Sequence, residues 1–132
     1  MKRQIKFRAR EIETNDWIYG DLLNEHGKKF IHDIASEKTV EVKPDTIEQF
    51  TGLVDVDNKE IYEGDILQLT CAEISRGEVV WYDKISAFSI KYWWSEIPEG
   101  NTLGQLFNWD YTMKIVGNIQ DNPELLNMYN KI

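Results

Sequence analysis

The stretch from Phe50 to Asp65, FTGLVDVDNKEIYEGD, alternates strand-forming and turn-forming residues at short intervals. It reads as strand, tight turn, strand, and a second turn that launches a further strand. Phe50-Thr51-Gly52-Leu53 leads into Asp55-Val56-Asp57-Asn58-Lys59, where Asp and Asn tolerate the left-handed backbone of a tight hairpin. Glu60-Ile61-Tyr62 returns as a strand. Glu63-Gly64-Asp65 turns the chain again, with Gly64 as the bend and Asp65 placed to accept from neighbouring backbone N–H groups. Ile66 to Thr70 then runs on with Leu67 and Leu69 on one face. A chain with this rhythm at its centre is committed to antiparallel β structure.

The same rhythm extends to both sides. Residues 3–23 read as a hairpin turning at Thr14-Asn15-Asp16, with Gly20 as a bulge or bend. Turns at 24–29 and 35–38 separate short strands at 30–34 and 39–43, and Pro44 opens a single helical turn. Residues 77–83 and 85–94 are strong strands, 95–109 is the longest irregular piece, and 111–119 is a strand bending at Gly117. Asn122-Pro123-Glu124 has the chemistry of a helix start, so a short C-terminal helix is expected. The predicted class is mainly β, bordering on α+β: many short antiparallel strands, a small barrel in the C-terminal half, and the terminal helix. With 132 residues the chain suits one unit over 1–132, with lobes at 1–49 and 50–132.

Charge is unevenly placed. The net charge is −8, yet five of the 15 basic residues fall in the first ten positions, leaving 10 against 23 acidic residues in the rest. Nonspecific binding to polyanions or an anionic membrane is disfavoured for the whole molecule. Ile5, Phe7 and Ala9 alternate with Lys6, Arg8 and Arg10, so the basic arm reads as a strand with one apolar and one cationic face. Lys2, Arg3, Lys6, Arg8 and Arg10 are a candidate nucleic-acid surface. The competing expectation is that they pair with acids elsewhere in the chain. One cysteine, Cys71, excludes an internal disulfide and fits a reducing cytoplasm. No apolar run approaches the ~20 residues that span a bilayer, so a soluble cytoplasmic protein is expected.

No residue set compels a catalytic assignment, a metal or a cofactor. Pro44-Asp45 with Asp57-Asn58-Lys59 spells the PD…(D/E)xK nuclease pattern, whose two carboxylates would hold magnesium and whose lysine would face the phosphate. Lys59, however, falls in a hairpin turn. Asp55, Asp57 and Asn58 fail a calcium-loop register at Lys59 and Glu60. His26, His32 and Cys71 lack zinc-site spacing, and Cys71 reads as a buried thiol. Trp81, Tyr82, Phe88, Tyr92, Trp93 and Trp94 could stack bases, but few Lys or Arg interleave with them. They are better read as core plus a protein interface, with Trp93 and Trp94 the candidate contact residues.

The segments IKFRAR, WIYGDLL, QFTGLVDVDNKEIYEGDIL, GEVVWYD and IVGNIQDNPELL resemble those of the YopX family, found in phages and prophages of low-GC Gram-positive bacteria. The resemblance spans Lys2 to Leu126. It departs from the family pattern at the hairpin, where Asn58 is followed by Lys59 and not by glycine. It implies a β-rich fold with an SH3-like barrel and a homo-oligomer, and it implies no activity. The leading expectation is therefore a non-catalytic accessory protein that self-associates and engages a phage or host protein. The alternative is a nucleic-acid-handling protein using the basic arm and the aromatic face. An acidic decoy of DNA ranks below both, because the acids are scattered.

Overall fold

The computed structural model describes residues 4–70, 73–95, 97–98, 100–109 and 111–127. It divides into two compact units, Met1–Gly52 and Leu53–Ile132. The protein is mostly β, as the alternating sequence predicts, and its paired strands are antiparallel.

In the first unit β1 (Phe7–Arg10), β2 (Trp17–Glu25), β3 (Lys28–Asp33) and β4 (Thr39–Glu41) pair in succession, and β5 (Glu48–Val54) lies on the other side of β1. The apolar face of β1 behaves as its alternation requires. Ala9 is buried with Ile31 and Val42, and Phe7, Ile18, Leu22 and Ile47 pack around them. Ile5, read with that face, is instead exposed. The β2–β3 hairpin turns on His26 and Gly27, with φ of 51° and 77°. Two positive φ values in a two-residue loop match the right-handed twist of the flanking strands. Gly20 marks a close approach, because a Cβ there would stand 1.8 Å from the carbonyl oxygen of His32.

β5 runs on into the second unit, where a hairpin leads to β6 (Glu60–Tyr62). β7 (Asp65–Thr70), β8 (Ile74–Tyr82), β9 (Ala87–Tyr92) and β10 (Thr112–Asn118) form a four-stranded sheet in the order β10-β7-β8-β9. The core gathers Ile61, Leu67, Leu69, Val79, Ile90 and Met113 from the strands with Leu103 and Leu106 from a helix. Each fully buried aliphatic side chain contributes about 1.5–3 kcal/mol. Gly64 takes a φ of 88°, and Asp65 Oδ2 accepts from the Tyr62 N–H at 2.8 Å, the two roles read from Gly64-Asp65. The bend expected near Gly117 is a register shift between Ile115 and Gly117.

Three elements differ from the sequence reading. β8 begins at Ile74 and not at Gly77, because pairing with β7 draws in residues that lack alternation. The piece read as irregular, 95–109, contains helix α1 (Leu103–Asn108). Its N-terminus is a capping box: Thr102 Oγ1 accepts from the Gln105 N–H, and Gln105 Oε1 accepts from the Thr102 N–H. The expected C-terminal helix is a single 3-10 turn, Pro123–Leu126. Pro123 opens it as anticipated, but the Asn122 side chain accepts from the Asn118 N–H instead of capping the turn.

Candidate interaction surface

The cationic face of β1 is taken up within the first unit. Arg8 stands opposite Glu48 in the β1–β5 register, and its Nε donates to Glu48 Oε1 at 2.8 Å. The guanidinium carbons of Arg8 and Arg10 lie 4.6 and 3.8 Å from the Trp17 ring centre. Arg10 Nη1 also donates to the Asn15 carbonyl, and Lys6 Nζ is 5.1 Å from the Phe50 ring centre. Cations over aromatic faces gain from the ring quadrupole. Lys2 and Arg3 lie outside the described residues. The arrangement binds β1 to its neighbours, with Arg8, one of its three described cations, paired to an acid.

The acidic residues of the central hairpin hold the backbone. Asp55 is buried. Its Oδ1 accepts from the N–H groups of Asp57 and Lys59 at 2.9 Å each, and its Oδ2 accepts from the Ile115 N–H at 3.0 Å. Burial alone would raise this carboxyl. Donation from the Ile115, Lys59 and Asp57 N–H groups, with the Lys59 ammonium, outweighs burial and holds it below the ordinary aspartate range. Asn58 adopts the left-handed conformation in this hairpin, at a φ of 63°. Asp57 and Lys59 are exposed on this hairpin, and Asp45 is exposed on the 3-10 turn Pro44–Thr46 of the first unit. His32 Nδ1 lies 3.2 Å from Thr39 Oγ1, and His26 serves the β2–β3 turn. Cys71 lies outside the described residues. Among the described residues no three His, Cys, Asp or Glu side chains gather as metal ligands would.

The aromatic residues divide between core and surface. Tyr92, at the end of β9, is 9% exposed and belongs to the core of the second unit. Trp94 stacks on it, with ring centres 4.5 Å apart and planes within 5°. Trp93 meets Trp94 edge to face at 5.5 Å. These two rings are 39% and 57% exposed, so a buried tyrosine supports an open shelf of two indoles. Trp81, on β8, meets Phe88 edge to face at 5.2 Å and donates Nε1–H to Asp83 Oδ1. Each of these contacts restrains the orientation of a ring. Phe107 and Trp109, at the end of α1, are exposed too. They fall in the piece read as irregular, where Phe107 is expected to pack inward, although the Thr102-Leu103-Gly104-Gln105 spacing carries the signal of α1.

Among the described residues no helix is long and apolar enough to cross a membrane. A family model described as YopX protein matches the chain over residues 6–127. No curated protein sequence matches it. Among solved structures it is similar to protein EF1440 from Enterococcus faecalis, at 22% identity and a TM-score of 0.56, over 95% of this chain and 99% of that one. At that identity the likeness is one of fold. Matched from Lys6 to Asn127, through both of its units, the chain belongs to the YopX family.

Proposed function

We propose that this protein is a non-catalytic accessory protein of phage or prophage origin. It works in the bacterial cytoplasm as a self-associating interaction module. Its contact surface is the indole shelf of the second unit, Trp93 and Trp94, and its partners are copies of itself and a phage or host protein. The observation that carries this reading is the stack of exposed Trp94 on buried Tyr92, with Trp93 set edge-on beside it. Large, pre-ordered aromatic rings open to solvent are the usual anchors of protein interfaces. The carboxylate most suggestive of a metal loop, Asp55, is occupied by three backbone N–H groups, which supports a structural role for the hairpin. Arg8 and Arg10 are engaged with Glu48 and Trp17, which supports a protein partner over nucleic acid.

Sedimentation velocity over a range of concentrations tests the reading. The protein is expected to show a concentration-dependent rise in mass that Trp93→Ala and Trp94→Ala abolish without loss of the folded far-ultraviolet spectrum. A strict monomer at every concentration, with no partner captured from infected host cells, would sink it.

A further inference from the structure

Trp94 stacks on Tyr92 through one face of its indole, with ring centres 4.5 Å apart and planes within 5°. It remains 57% exposed, which leaves the opposite face open to solvent. Tyr92 belongs to the core of the second unit, so the indole above it is held flat. Trp93 stands at 86° to Trp94, with ring centres 5.5 Å apart, and walls one side of the seat. Among the described residues no lysine or arginine lies over either indole. Lys91, next to Tyr92 in sequence, lies on the other side of β9, opposite Glu78. The first unit fills the same kind of seat from within, where the guanidinium carbons of Arg8 and Arg10 lie 4.6 and 3.8 Å from the Trp17 ring centre. The charges also divide unequally. Leu53–Ile132 holds 13 acidic and 6 basic residues, so seven of the eight net negative charges lie in the second unit.

We propose that the open face of Trp94 takes an arginine side chain of a protein partner, laid flat as the third layer of the Tyr92–Trp94 stack. The proposal rests on the reading of Trp93 and Trp94 as a contact surface and names what that surface selects. A guanidinium is planar and weakly hydrated, so it stacks on an indole and gains from the negative charge of the ring face. The net charge of the unit draws a cation in. It repels a nucleobase, which has the same flat shape but arrives with its phosphate. An uncharged ring of the partner gains nothing from this field. The arginine comes from a protein other than a second copy. Arg8 is engaged with Glu48, Arg10 with Trp17 and Arg76 with Gln68, and the fourth arginine, Arg3, lies outside the described residues.

The test is nuclear magnetic resonance of the indole Nε1–H groups in dilute protein, titrated with a glycine-serine peptide that carries several arginines. The same peptide with lysine, the same peptide with citrulline, and a thymidine oligonucleotide are the comparisons. The arginine peptide should shift the Trp94 signal saturably, and its own side-chain δ protons should move upfield in the ring current of the indole. Citrulline keeps the plane without the charge and should bind about three- to tenfold more weakly, the scale of a cation over an aromatic face. Lysine should fall between them. Trp94→Leu should weaken arginine binding by a similar factor, and Trp94→Phe, which keeps a flat face, should restore part of it. Equal binding of citrulline, tighter binding of the oligonucleotide, binding that leaves the δ protons unmoved, no response to any probe, or undiminished binding by Trp94→Leu would each overturn the proposal. So would a Trp94 shift that grows with protein concentration and that the arginine peptide does not reverse, since it would give the face to a second copy. Sedimentation separates the two readings. A strict monomer that binds the arginine peptide fails only the self-association, and a self-associating protein that ignores the peptide fails only this proposal.

Discussion

Arg8 and Glu48 face one another across β1 and β5, with Nε 2.8 Å from Oε1 and both side chains more than nine-tenths buried. Removing one partner leaves the other charged in a site with little water. Glu48→Gln is expected to cost about 3 kcal/mol or more. Replacing both, Arg8→Met with Glu48→Leu, should cost less than the single change, since no uncompensated charge remains. Urea unfolding of the three proteins would measure this. A double variant less stable than Glu48→Gln would contradict it.

Asp55 ties its own hairpin to β10. Its folded pKa lies below the ordinary aspartate value of about 3.9, so the unfolded chain binds the proton more readily. The stabilisation is therefore complete above that value and is lost as pH falls through it towards the folded pKa. Asp55→Asn keeps one acceptor oxygen and loses the charge. It should cost about 2–3 kcal/mol at neutral pH and flatten the acid limb of the stability curve. Thermal melts between pH 7 and pH 3 would show whether the wild type and the variant converge in acid, as expected.

Glu78 has the opposite sign. Burial raises its carboxyl, Lys91 opposes the rise, and Glu63 adds to it. The folded state then binds the proton more readily than the unfolded chain does. Stability falls as pH rises from the ordinary glutamate value, about 4.3, through the raised one, and the penalty is complete above it. Glu78→Gln should remove that penalty. The expected gain at neutral pH is well under about 1 kcal/mol, because the side chain is partly open to screening solvent. A lower melting temperature for the variant at pH 7 would mean that the Lys91 attraction outweighs burial.

Gly20 sits between Phe7 and Asp33 in the sheet of the first unit. With a Cβ position 1.8 Å from a backbone oxygen and a φ of 156°, it has no room for a side chain. Gly20→Ala is expected to cost about 3 kcal/mol, the scale of forced backbone displacement in a packed region. Amide hydrogen exchange along β2 and β3 should accelerate in the variant more than exchange along β7 and β8.

Local chemistry was the legible part of the sequence. The turn bonds of Asp55 and Asp65 and the left-handed backbone of Asn58 and Gly64 are local and follow from residue type, whereas the bond from Ile115 to Asp55 is not local. The alternation of Phe7 and Ala9 with Arg8 and Arg10 revealed two faces, although only the fold supplied Glu48, forty positions away, as the partner. Helix α1 was hidden because Gly104 and the nearby Pro98 and Gly100 lower the local helix propensity, and the Thr102–Gln105 box outweighs them. Arg76 and Gln68 could not be associated from sequence at all. Cross-strand register brings them together.

The Asp55 carboxylate also separates two stages of folding. Its Oδ1 bonds are closed by residues two and four positions on, within reach of a nascent hairpin, whereas its Oδ2 bond waits for Ile115, sixty positions downstream. Loops of that length close late and set the pace of folding. During synthesis the hairpin can form long before β10 leaves the ribosome, but it stays half-anchored until then. One side chain thus records first the making of a turn and then the arrival of the last strand.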